Sequence, residues 1–182
     1  MHPKQLIRTS RKISLVLRHK PQAIGLTLDA NGWAEVDDLL RLMTQDGTPL
    51  NRSELDLIVA ENNKQRFRFS DDGRKIRANQ GHSLNVDLQM KPVQPPDMLY
   101  HGTATTAVAS ILRTGLEKRK RQHVHLSHEQ ETATKVGSRH GKPVVLIVDA
   151  AQMAADGYLF YRSDNGVWLT EAVPEKYLRR TP

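Results

Sequence analysis

The chain has 182 residues, with 27 Lys and Arg against 20 Asp and Glu, so its formal charge is +7 with the histidines neutral. A hydrophobic content of 38% beside 26% charged residues excludes a disordered chain; no run reaches the roughly 20 apolar residues of a membrane helix, and the N-terminal stretch lacks the apolar length and cleavage site of a signal peptide. With no cysteine, disulfides, thiol catalysis and Cys-ligated zinc or iron–sulfur sites are excluded and a cytoplasmic protein is expected, while the basic excess points to a polyanionic partner such as nucleic acid.

Leu6, Ile13, Val16 and Leu17 recur at helical spacing until Lys20-Pro21 stops them. Gly32-Trp33 marks a turn or short strand, and Val36, Leu39, Leu40 and Met43 predict a second helix ended by Asp46-Gly47. Asn51 followed by Glu54 forms a capping box ahead of a third helix carrying Leu55, Ile58 and Val59. Arg66-Phe67-Arg68-Phe69 alternates with period two, Asp72-Gly73 supplies a hairpin turn and Ile76-Arg77-Ala78 returns. In that register Phe67 faces a core, and Arg66 and Arg68 face the other way. Helices followed by a basic hairpin suggest a winged-helix-like module, a unit used for nucleic-acid binding, for protein contacts or for structure alone.

Met90-Lys91-Pro92-Val93-Gln94-Pro95-Pro96-Asp97 can neither continue a helix nor sit in a central strand, so it reads as a linker between lobes at 1–92 and 93–182. In the second lobe Met98-Leu99-Tyr100 predicts a strand ending in His101-Gly102-Thr103. Val108, Ile111 and Leu112 give a helix face closed by Gly115, Val124-His125-Leu126-Ser127 a strand, and Glu129 to Gly137 a helix. Pro143 to Val148 is the most apolar segment and predicts a central strand, with Val167-Trp168-Leu169-Thr170 as another. The fold class expected is α+β, with a mixed or antiparallel sheet in the second lobe.

Several clusters are candidates for chemistry. Arg18-His19 lies at a helix C-terminus, where cations are favoured in any case. Lys118-Arg119-Lys120-Arg121 precedes His123 and His125, whose i, i+2 spacing lacks the third ligand a metal site needs. Gly137-Ser138-Arg139-His140-Gly141 is a short basic stretch suited to a pyrophosphate through Arg139, and no Walker loop occurs.

Taken in order, Ile13-Ser14-Leu15-Val16-Leu17-Arg18-His19, Lys64-Gln65-Arg66-Phe67, Ile76-Arg77-Ala78-Asn79-Gln80-Gly81-His82-Ser83, Tyr100-His101-Gly102-Thr103, Arg121-Gln122-His123-Val124-His125-Leu126-Ser127 and Gly166-Val167-Trp168-Leu169-Thr170 resemble the NAD-dependent RNA (tRNA) 2′-phosphotransferase family across nearly the whole chain. The resemblance implies an N-terminal winged-helix RNA lobe and a C-terminal lobe with the ADP-ribosyltransferase fold. The implied reaction moves an internal 2′-monophosphate of RNA to NAD⁺ through an ADP-ribosylated RNA. It gives 2′-hydroxyl RNA, ADP-ribose 1″,2″-cyclic phosphate and nicotinamide. The family's catalytic set carries over to Arg18, His19, Arg66 and Arg121, with His19 a proton donor or a phosphate ligand. The NAD⁺ contacts implied are His101, Gly102, Thr103, His125, Ser127, Arg139 and Val167. Protein-modifying relatives of that fold commonly carry a glutamate where Val167 stands. The expected substrates are NAD⁺ and a 2′-phosphorylated RNA, tRNA-like or other, with no metal, no membrane and no obligatory protein partner. Two rivals stay open at this point: a nucleic-acid binder without catalysis, and a transferase that stops after one step.

Overall fold

In the computed structural model, which describes residues 1–182, helix α1 (Pro3–Arg18) starts on Pro3, whose missing N–H costs nothing in a first turn, and buries Thr9, Ile13, Val16 and Leu17 as one stripe. A 3₁₀ turn at Pro21–Ala23 and strand β1 (Ala34–Glu35) lead into α2 (Val36–Gln45), which buries Val36, Leu39 and Met43. Helix α3 (Arg52–Ala60) carries the capping box in full: Glu54 N–H donates to Asn51 Oδ1 at 2.9 Å and Asn51 N–H to Glu54 Oε2 at 3.1 Å. That arrangement satisfies two orphan donors and contributes about 1 kcal/mol. Strands β2 (Phe67–Phe69) and β3 (Lys75–Ala78) form the expected hairpin, and the antiparallel sheet order is β1-β3-β2. Phe67 and Ile76 close the core under α1, α2 and α3, whereas Arg68 and Arg77 face each other directly across the strands, with their guanidinium carbons 5.6 and 4.5 Å from the Trp33 ring centroid.

The chain parts between Gln89 and Met90 into two compact units. The proline-rich run belongs to the second: Val93 N–H donates to Phe160 O at 2.8 Å and Pro95 is buried. In this unit β4 (Met98–Ala104) leads into α4 (Thr105–Thr114) and β5 (Leu116–Glu117). Next come β6 (Val124–Leu126), α5 (Gln130–Gly137), β7 (Pro143–Asp149) and α6 (Ala150–Ala155). A hairpin of β8 (Phe160–Arg162) and β9 (Trp168–Thr170) follows, then β10 (Ala172–Val173) and β11 (Leu178–Arg180). The apolar segment β7 is central, in the order β11-β7-β4, beside a second sheet β6-β9-β8 and a two-stranded β10-β5 ribbon. All pairs are antiparallel, so the molecule is α+β. No helix is long and apolar enough to cross a membrane.

Several local expectations change. Strand β4 does not end at His101-Gly102-Thr103 but runs through it to Ala104, because all seven of its residues have partners on β7. Leu112 is 37% exposed, and only Val108 and Ile111 of its trio reach the core. Val167 precedes β9: its N–H bonds Ser163 Oγ and its carbonyl accepts from Ser163 N–H, a closed turn at the foot of the β8–β9 hairpin.

Candidate active site

In the first unit, His19 is the C-cap of α1, its N–H donating to Leu15 O at 2.9 Å. The segment after β3 then folds back on this helix end. Ser83 N–H donates to Arg18 O at 3.0 Å, and Ser83 Oγ lies 2.9 Å from His19 Nδ1, so one residue engages both members of the pair. Gly81, at φ +88°, passes beneath Arg18: a Cβ there would stand 3.6 Å from the guanidinium carbon. Arg18 and Arg66 line one cleft of about 410 Å³, between α1 and the loop after α3, together with Arg11. Arg66 is fixed by its backbone, since its carbonyl accepts from Asn79 N–H at 2.9 Å. Three guanidinium groups on one cleft favour an anion with several oxygens.

His82 sits beneath this corner, 1% exposed, with neither ring nitrogen hydrogen-bonded. Burial first, and then the charges of Arg18, His19 and Arg77, lower its pKa to about 4, so it is neutral at pH 7. The Asn79 to Ser83 string carries these contacts, yet pattern reading of the sequence gives Gly81, His82 and Ser83 no role of their own. Ser83 and His19 are 64 positions apart, and only the folded chain joins them. Arg11 does leave a trace in the sequence, seven residues before Arg18 and therefore on the same helix face.

In the second unit, Tyr100 and Ser127 exchange backbone hydrogen bonds, Tyr100 N–H to Ser127 O at 2.9 Å and Ser127 N–H to Tyr100 O at 2.8 Å. Backbone groups alternate sides along a strand, so Gly102 directs its N–H and C=O to the same side as Tyr100, away from β7 and beyond the reach of the Ser127 bridge. The free edge of β4 therefore presents one donor and one acceptor at Gly102. The other open direction at Gly102 is filled: a Cβ would fall 1.6 Å from Ala133 O and 2.9 Å from Gly137 N, because α5 lies directly on the strand. This close packing, rather than a turn, is why the position is glycine.

His101 Nδ1 lies 3.2 Å from His125 O, so this nitrogen carries the proton and Nε2 is left as an acceptor. Burial lowers the His101 pKa, the bond to His125 opposes that, and the charges of Arg119 and His140 lower it further, which keeps the ring neutral at pH 7. Arg121 Nη1 donates to His125 Nδ1 at 3.0 Å. Desolvation, and next the charge of Arg139, pull the Arg121 pKa below its ordinary value. Arg121, His125 and His101 thus form one group, with the backbone edge of Gly102 beside it. Thr103 is buried within β4, and Val167 joins none of these bonds. Arg119, with φ +53°, bears on His101 through its charge. No three His, Asp or Glu side chains come together in a way that could hold a metal ion.

Comparison with known proteins agrees along the whole chain. The profile described as RNA 2′-phosphotransferase, Tpt1/KptA family, matches residues 4–172. A probable RNA 2′-phosphotransferase of Agrobacterium fabrum is 59% identical over 170 residues, 93% of this chain and 91% of its own length. A protein so named from Hahella chejuensis is 54% identical over 175 residues, covering 96% and 94%. Another from Nostoc punctiforme is 51% identical over 180 residues, 99% of each chain. Identity at this level across both units leaves one assignment: the protein belongs to the RNA 2′-phosphotransferase (Tpt1/KptA) family.

Proposed function

We propose that this protein removes an internal 2′-monophosphate from RNA by transferring it to NAD⁺, a co-substrate, in two steps. The first unit, read as a winged-helix-like module, holds the RNA 2′-phosphate, and the second, read as an ADP-ribosyltransferase fold, holds NAD⁺. The observation that carries the reading is the basic cleft, where Arg18 and Arg66 share one wall system and His19 is anchored on Ser83. For NAD⁺, the donor and acceptor at the Gly102 edge suit a carboxamide. The His101 Nε2 acceptor suits a ribose hydroxyl, and Arg139 suits a pyrophosphate.

In the first step a 2′-phosphate oxygen attacks C1″ of the nicotinamide ribose as the bond to nicotinamide breaks. The nucleophile is already an anion near neutral pH, its second pKa being about 6, so Arg18 and Arg66 need only orient it. In the second step the ribose 2″-hydroxyl attacks phosphorus and the RNA 2′-oxygen leaves. The 2″-hydroxyl loses a proton and the departing oxygen gains one, which gives 2′-hydroxyl RNA and ADP-ribose 1″,2″-cyclic phosphate. New charge develops on the phosphoryl oxygens here, where guanidinium forks such as those of Arg18 and Arg66 act most strongly, and the catalytic set implied by the resemblance adds Arg121. His19, oriented by Ser83, is placed to serve the leaving oxygen or the phosphate itself. Val167 has no group to bind a ribose hydroxyl, which leaves the 2″-hydroxyl available as nucleophile.

The test is incubation with NAD⁺ and a short internally 2′-phosphorylated RNA. Equal amounts of nicotinamide, dephosphorylated RNA and cyclic phosphate are expected. His101→Ala is expected to raise the KM for NAD⁺ with binding of the RNA unchanged. RNA binding without nicotinamide release would refute the enzyme reading, and nicotinamide release with phosphate retained on the RNA would favour a one-step transferase.

A further inference from the structure

The cleft of the first unit is larger and more varied than one phosphate requires. At about 410 Å³ it is in the size class of nucleotide-sized sites. Ile7, Arg11, Ser14 and Arg18 all line it, at spacings of four, seven and eleven residues along one face of α1. Arg11 stands two helical turns before Arg18, about 10 Å along the axis. It is exposed and makes no ion pair, although Glu61 borders the same cleft. Ile7, one turn further back, is 51% exposed and gives this end an uncovered apolar surface. A cation held in no ion pair, beside an open apolar side chain and in line with the proposed 2′-phosphate ligands, has the chemistry of a nucleotide subsite.

We infer that this end of the cleft holds the nucleotide adjacent to the 2′-phosphorylated one, with its phosphodiester on the Arg11 guanidinium and its base against Ile7. The inference rests on the 2′-phosphotransferase reading and adds to it a site for the flanking RNA. It makes the enzyme a reader of the strand and not only of the 2′-phosphate. The base contact is apolar, so the subsite accepts any base and selects for a charged neighbouring linkage.

The test measures binding by fluorescence anisotropy, without NAD⁺, of a short 2′-phosphorylated RNA and of two versions in which the linkage on one side or the other of that nucleotide is an uncharged methylphosphonate. Arg11→Ala is expected to weaken binding of the fully charged RNA about tenfold. One methylphosphonate should weaken wild-type binding equally, and the same RNA should lose nothing further with Arg11→Ala. Ile7→Ser should weaken an RNA with a neighbouring base more than one with an abasic neighbour. Additive losses from Arg11→Ala and both methylphosphonates, or an Arg11→Ala protein that binds like wild type, would overturn the subsite. If the wild-type protein binds 2′-hydroxyl RNA as tightly as 2′-phosphorylated RNA, the parent reading falls instead.

Discussion

Acidification from pH 6.5 towards pH 4 is expected to destabilise the first unit through His82. In the folded chain this imidazole is enclosed, without hydrogen bonds and surrounded by Arg18, His19 and Arg77, and its pKa is about 4 against an ordinary 6.5. Because the folded value lies below the unfolded one, the stabilisation is complete above pH 6.5. It is lost progressively as the pH falls to about 4, where both states take up the proton and the loss stops. Between those limits only the unfolded chain binds the proton, which costs about 1.4 kcal/mol per pH unit and about 3 kcal/mol in full. That is a large share of the roughly 5–15 kcal/mol typical of a domain. The assay is urea unfolding followed by Trp33 fluorescence in a Trp168→Phe background, at a series of pH values, with and without His82→Gln. Glutamine does not titrate, and the carboxylates common to both proteins cancel in the difference. The protein retaining His82 should lose about 3 kcal/mol more than the glutamine variant over the window. Parallel curves would refute the placement of a neutral imidazole among these cations.

Arg66→Lys keeps the charge in the cleft but loses the bidentate fork, so turnover is expected to fall about a hundredfold or more with an unchanged circular dichroism spectrum; near-normal dephosphorylation would sink the role. Ser83→Ala removes the hydroxyl beside His19 Nδ1 and should lower kcat about tenfold while the KM for RNA stays within about twofold, with recovery in Ser83→Thr separating orientation from a general loss of structure. Weakening Arg121, here by Arg121→Lys, should slow the second step more than the first, so that ADP-ribosylated RNA accumulates as a slower-migrating species on a gel. Arg119→Ala should retain most activity. Gly102→Ala would place a methyl group 1.6 Å from Ala133 O, and thermal unfolding should show a loss of about 4 kcal/mol or more, or no folded protein at all.

Elements that declare themselves by local pattern were legible in the chain: the α1 stripe, the Asn51–Glu54 capping box, the Asp72-Gly73 hairpin and the apolar β7. Each rests on residues within a few positions of one another. Strands β5, β8, β10 and β11 have two or three residues apiece and exist because a partner strand accepts them, as Leu116 does opposite Val173. No local signal marks them. Strand β4 extends one residue past His101-Gly102-Thr103, and its glycine admits a helix rather than ending the strand. Among the candidate residues, Arg18, His19, Arg66 and Arg121 were legible only by resemblance, since isolated basic residues are common in a chain of this charge. Ser83 and His82 matter through neighbours distant in sequence, and nothing in their own surroundings hints at a partner.

The seat of α5 on β4 bears on how sequences of this kind can drift. Side-chain collisions can be relieved by trimming the neighbour, so paired core positions usually exchange volume over time. At Gly102 the obstacle is the carbonyl of Ala133, and at Gly137 it is the carbonyl of Thr103, 2.8 Å from where a Cβ would stand. Backbone cannot be trimmed by any substitution. Positions 102 and 137 should therefore tolerate no exchange, singly or jointly, and should carry no covariation signal at all. Methods that infer contacts from correlated change would miss the tightest approach in this unit.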